Sequence, residues 1–173
     1  MKLDRVLLLA ALVLAGGCAP APPPARAAES PQPARDAPPE DLLLLADLRV
    51  LRGDEPVVVL HRNGLLVERG EALGILHSNG VFVDLGGTLE IRLSPDGTVP
   101  TPSGTLFIDE GGTATFRLPE VEPEVLHFDA EGRVAGSKTP LRVEGLTLRT
   151  RRTAMFALLL PDLLRLRRHN TIK

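Results

Sequence analysis

Leu60-His61-Arg62-Asn63-Gly64-Leu65-Leu66-Val67 returns sixteen residues later as Leu76-His77-Ser78-Asn79-Gly80-Val81-Phe82-Val83. Gly70 then matches Gly86 and Leu73 matches Leu89 at the same offset, and a third unit, Leu93-Ser94-Pro95-Asp96-Gly97-Thr98-Val99, follows at an offset of seventeen. Gly111-Gly112 and the stretch Leu126-His127 to Glu131-Gly132-Arg133-Val134 continue the rhythm more weakly. Asn-Gly or Asp-Gly between apolar runs is the strongest short-range hairpin signal, and the expected form is a type I′ turn with positive φ at both central residues. The flanking runs alternate: Leu89, Ile91 and Leu93 point one way and Glu90 and Arg92 the other, while Leu106 and Ile108 oppose Thr105, Phe107 and Asp109. The pattern predicts a mainly β fold, an antiparallel meander of roughly ten short hairpin strands with one apolar face. A repeat near sixteen residues also suits a stacked β-solenoid.

Toward the C-terminus the alternation stops. Ala154-Met155-Phe156-Ala157-Leu158-Leu159-Leu160 reads as a helix, with Thr150 or Thr153 as its cap and Pro161 either kinking it or starting a second helix over Asp162 to Arg168. A single-layer sheet needs cover on its apolar face, so this segment (150–173) is expected to pack on the strands of 41–149. The alternative is an amphipathic segment with Arg151, Arg152, Arg165, Arg167 and Arg168 at lipid headgroups or on a partner. Residues 149–173 carry seven Lys and Arg against the single carboxylate of Asp162, while the whole chain has a formal net charge of −2. A basic tail on an acidic body follows.

Toward the N-terminus the composition changes twice. Residues 19–40 are rich in Pro and Ala with no large apolar side chain, so they cannot bury enough surface to fold and read as an extended tether. Residues 1–17 have a short charged start, an apolar run from Val6 to Ala15 and small residues before Cys18, the anatomy of a secretory signal. The run is too short to span a bilayer permanently. Leu14-Ala15-Gly16-Gly17-Cys18 resembles the lipobox of bacterial lipoproteins. That resemblance implies cleavage before Cys18, a diacylglyceryl group on its thiol, and localisation at the cell envelope. Ala19 resembles the pattern of lipoproteins sorted to the outer membrane, facing the periplasm or the cell surface. The body, with its tandem Asn-Gly and Asp-Gly turns, resembles hypothetical lipoproteins of Gram-negative bacteria to which no activity is attached.

Composition narrows the function. Aromatics make up 3% of the chain, with no Trp and no Tyr, which removes the flat rings that stack on bases or sugars. With the slightly acidic charge this argues against a nucleic-acid partner. The one cysteine forbids an internal disulfide.

A search for chemistry finds little. His61 and His77 occupy equivalent repeat positions, with His127 in a similar setting, and stacked hairpins could bring them together around a metal. The spacing matches no tight ligand pair, and a strand-end role for each is the plainer expectation. Ser78, Ser94, Ser103 and Ser137 lack the surroundings of a nucleophile elbow, and Asp84, Asp109 and Asp129 alternate with apolar residues as wet-face strand carboxylates do. No Gly-rich loop precedes a Lys and a helix, so no cofactor is expected. The sequence therefore predicts a non-catalytic envelope lipoprotein, held to the membrane by lipid and presenting its β domain to another envelope protein. The second reading is a carrier of lipid or a small apolar ligand.

Overall fold

The structure is a computed structural model that describes residues 41–118 and 121–170. The signal segment, Cys18 and the tether lie outside the described residues.

Among the described residues twelve strands run in chain order: β1 (Leu48–Arg52), β2 (Glu55–Leu60), β3 (Leu65–Glu68), β4 (Glu71–Leu76), β5 (Val81–Asp84), β6 (Glu90–Arg92), β7 (Thr98–Thr101), β8 (Gly104–Ile108), β9 (Ala114–Arg117), β10 (Glu124–Phe128), β11 (Val134–Ala135) and β12 (Arg142–Glu144). A 3-10 turn, Leu148–Thr150, leads into one helix, α1 (Arg151–Asn170). The strands form a seven-stranded sheet, ordered β12-β1-β2-β3-β4-β5-β6, and a five-stranded sheet, ordered β11-β10-β9-β8-β7. Every pairing is antiparallel, as the hairpin reading requires and a solenoid does not allow. β1, which lies before Pro56, and the short pair β11 and β12 are the strands that the turn rhythm alone does not mark.

The sheets join at both ends. Val134 N–H donates to Leu141 O at 2.9 Å and Val143 N–H to Gly132 O at 2.8 Å, which link β11 to β12. At the other end the chain turns directly from β6 into β7, with Ser94 N–H on Thr98 O at 2.9 Å. The strands therefore form a ring, and α1 fills it. From Arg152 to Pro161 the helix is buried on every side save for half-buried Leu158. A helix that is apolar all round must be enclosed, and the inward strand residues Leu60, Leu66, Leu76, Phe82, Ile91, Leu106 and Ile108 share one core with Met155, Phe156 and Leu160. Alternation holds as read: Ile91, Leu93, Leu106 and Ile108 are buried, whereas Glu90, Arg92, Thr105 and Phe107 are exposed.

Two local expectations are corrected. The helix cap is neither Thr150 alone nor Thr153. Thr147 and Thr150 form a reciprocal capping box on the 3-10 turn, and Thr153 is buried with its hydroxyl on Leu44 O at 3.1 Å. Pro161 does not divide the helix, which runs unbroken past it. An interior proline costs about 3 kcal/mol in an isolated helix, but this one is buried among Leu160, Leu163 and Leu164, and tertiary packing offsets the lost backbone bond.

Candidate functional site

The repeat signals build one end of the ring. The turns starting at His61, His77, Ser94, Asp109 and Asp129 each place a glycine fourth, at positions 64, 80, 97, 112 and 132, with φ between 76° and 92°. In each, the glycine N–H donates to the carbonyl of the first turn residue, and the first residue's N–H to the carbonyl after the glycine. This is a type I turn closed by a left-handed glycine, a three-residue hairpin loop with a bulge. The expected type I′ form is absent at Asn63, Asn79 and Asp96, since among the described residues Arg69 is the one non-glycine with positive φ. Asn63, Asn79 and Asp96 instead aim their side-chain oxygens at the N–H two residues on, at 3.1, 3.1 and 3.0 Å.

The aspartates expected on a wet strand face also act as turn clamps. Asp129 Oδ1 accepts from the N–H of Glu131 and of Arg133 at 3.0 and 2.8 Å, and Asp109 Oδ1 from Thr113 N–H at 2.8 Å. Asp84 does the same between β5 and β6, accepting from Thr88 N–H at 2.8 Å and Leu89 N–H at 2.9 Å. The Leu89 bond is the largest influence holding the Asp84 carboxyl below its usual range. Burial opposes it, while the Thr88 N–H and hydroxyl and the positive field of Arg168 add to it.

His61 and His77 stand one hairpin apart as the first residues of their turns, both exposed, and His127 lies exposed on β10. No group of three or more metal-ligating side chains converges among the described residues.

The arginines of the C-terminal segment are tied to the ring. Arg151 Nη2 donates to Asp129 O at 3.3 Å, and Arg152, itself buried, donates to Pro95 O at 3.2 Å. Arg165 binds both Glu68 of β3 and Asp162, the latter at 2.6 Å, and the Glu68 contact raises its guanidinium above the ordinary range. Arg167 Nη1 reaches Glu90 O at 2.7 Å and Nη2 reaches Pro100 O at 3.3 Å. Arg168 is exposed, in the neighbourhood of Asp84. The helix thus runs along the ring from the glycine-turn end, at Arg151 and Arg152, to the opposite end at Arg165 and Arg167.

Sequence reasoning did not mark one surface feature. On the outer face of the five-stranded sheet, Phe107 of β8 and Val125 of β10 both pair in register with Thr115 of β9, which forms a row of three across the strands. Phe107 is 37% and Val125 43% exposed, and Leu118 and Val121, in the link from β9 to β10, are exposed as well. Alternation at Phe107 signals an outward ring, but the neighbours that make it a row come from a register that one strand cannot show. Comparison with protein-family models, with curated proteins and with solved structures finds no match for the chain.

Proposed function

We propose that the chain is a non-catalytic lipoprotein of the cell envelope, anchored by lipid on Cys18 and presenting its β domain to another envelope protein. The lipobox-like Leu14-Ala15-Gly16-Gly17-Cys18 and the Pro- and Ala-rich stretch behind it support the anchor and the tether, and Ala19 favours the outer membrane. The observation that carries the interaction reading is the exposed Phe107-Thr115-Val125 row. Two large apolar side chains flanking Thr115 in one row of a solvent-facing sheet, with exposed Leu118 and Val121 in the following link, favour a surface with a partner over a bare one. The core of the domain is filled by α1, so the ring acts as a rigid scaffold for that face.

Crosslinking and pull-down from native membranes tests this with three forms: wild type, Cys18→Ser and Phe107→Lys. A protein partner captured by the wild type, reduced with Cys18→Ser and lost with Phe107→Lys, is the expected result. Equal capture by all three, or the wild type in the soluble fraction, would sink the reading.

A further inference from the structure

Where α1 leaves the ring at the end opposite the glycine turns, a cavity of about 370 Å³ opens between the helix and the β1-β2 and β3-β4 hairpins. Its apolar wall is Val57, Val58, Leu141, Leu158 and Pro161. Three arginines stand among its lining; two of them, Arg52 at the end of β1 and Arg69 in the β3-β4 turn, are exposed and have no side-chain partner among the described residues. The lining's two carboxylates, Glu68 and Asp162, are both engaged by Arg165, so within the lining itself three arginines face two carboxylates and Arg52 and Arg69 stay unengaged. Asp54, Glu55 and Glu71 lie in the same two hairpins but do not line the cavity.

Two departures from local preference meet here. Arg69 has φ of 49°, the first position of a two-residue turn with Gly70 (φ 86°) between the paired Glu68 and Glu71. That geometry suits Asn or Gly, and an arginine there is conformationally costly. Pro161 interrupts the backbone bonds of α1 on the opposite wall. Packing accounts for Pro161, but exposed Arg69 gains no side-chain contact among the described residues in return for its left-handed backbone, which points to a constraint other than folding. A concave site at a barrel mouth, its lining divided between apolar and charged side chains, suits a small amphiphile.

We infer that this cavity binds an amphiphile with an anionic phosphate or carboxylate head, the head on Arg52 and Arg69 and a single alkyl chain against Leu141, Leu158 and Pro161. The inference is independent of the anchor and of the Phe107 surface. The same chemistry arises from a free amphiphile or from a membrane lipid head, and the test separates them.

The experiment is calorimetric titration of the full chain carrying Cys18→Ser with octyl phosphate, octanol and inorganic phosphate. The variants added to this background are Arg69→Asn, Arg52→Gln and, as a control on β6, Arg92→Gln. Arg69→Asn creates the Asn-Gly pair that type I′ turns prefer, so its melting temperature should hold or rise while the cation is removed. Saturable one-to-one binding of octyl phosphate is expected, weakened at least about tenfold by Arg69→Asn and by Arg52→Gln and retained in Arg92→Gln. Binding unchanged in Arg69→Asn, octanol binding as tightly as octyl phosphate, or no binding of octyl phosphate would each overturn the assignment. Phosphatidylglycerol vesicles that retain the Cys18→Ser chain, but not with Arg69→Asn added, would identify a membrane lipid as the source. Octyl phosphate binding without vesicle retention identifies a free amphiphile.

Discussion

The guanidinium of Arg167 donates to the carbonyl of Pro100, a β7 residue with no N–H to offer the neighbouring strand. The same side chain reaches Glu90 O on β6, so one cation from the helix spans the seam that the backbone ladder leaves open beyond Ser94 and Thr98. The adjoining ends of the two sheets are thus held by a side chain where a central strand would use amides.

Replacing Arg167 by Ala should therefore loosen that seam first. Hydrogen exchange is expected to quicken in β6 and β7 before β1 or β2, with a stability loss of about 1–3 kcal/mol. Uniform quickening over all strands would show that the seam has no local role.

Glycines at the two ends should respond differently to alanine. A Cβ on Gly64 would lie 2.1 Å from Leu76 O, whose own N–H bonds Gly64 O, whereas one on Gly53 meets nothing within 4 Å. Gly64→Ala adds a backbone clash to the cost of positive φ and should lower stability by more than about 2 kcal/mol, against roughly 1 kcal/mol for Gly53→Ala. Chemical denaturation of the pair measures the difference, and equal losses would refute the clash.

Acid should weaken the β5-β6 hairpin. The Asp84 carboxyl is held below its usual range chiefly by Leu89 N–H, so its stabilisation is present above the unfolded value near about 4 and lost as pH falls through the lower folded value. The urea midpoint of Asp84→Asn should trail the wild type at pH 7 and approach it at pH 3. A gap that does not narrow in acid would exclude the ionised carboxylate as its cause.

The helix should be indispensable to the strands. Phe156 is fully buried at the centre of the ring, and Phe156→Ala is expected to cost about 3–5 kcal/mol, while Leu148→Ala, at an 80% exposed site, should stay within about 0.5 kcal/mol. Thermal melts of the two variants decide whether α1 is core or cover.

Much of this was legible from the chain. The return of Leu60–Val67 as Leu76–Val83 sets hairpin spacing, and Ile91 and Leu106 show which side is inner. The turn type was less legible: Asn-Gly suits both a type I′ pair and a type I turn closed by glycine, and the register of Leu60 with Leu66 and of Leu76 with Phe82 across the turns goes with the latter. The actual type I′ turn sits at Arg69-Gly70, where an arginine hides the signal. The arginines of α1 read as a basic face because a sequence does not reveal that carbonyls of Asp129, Pro95, Glu90 and Pro100 await them. The cavity at Arg52 and Arg69 depends on elements roughly a hundred residues apart, beyond any local pattern.

The segment that fills the ring follows all the described strands in sequence, and its buried Thr153 bonds Leu44, 109 residues earlier. A polypeptide delivered N-terminus first has all twelve strands available before it has anything to wrap them around. Closure must wait for the final turns of helix, so contacts of the longest sequence separation decide when the domain becomes native. The domain therefore cannot be assembled hairpin by hairpin: strands and helix become native in one late, shared step.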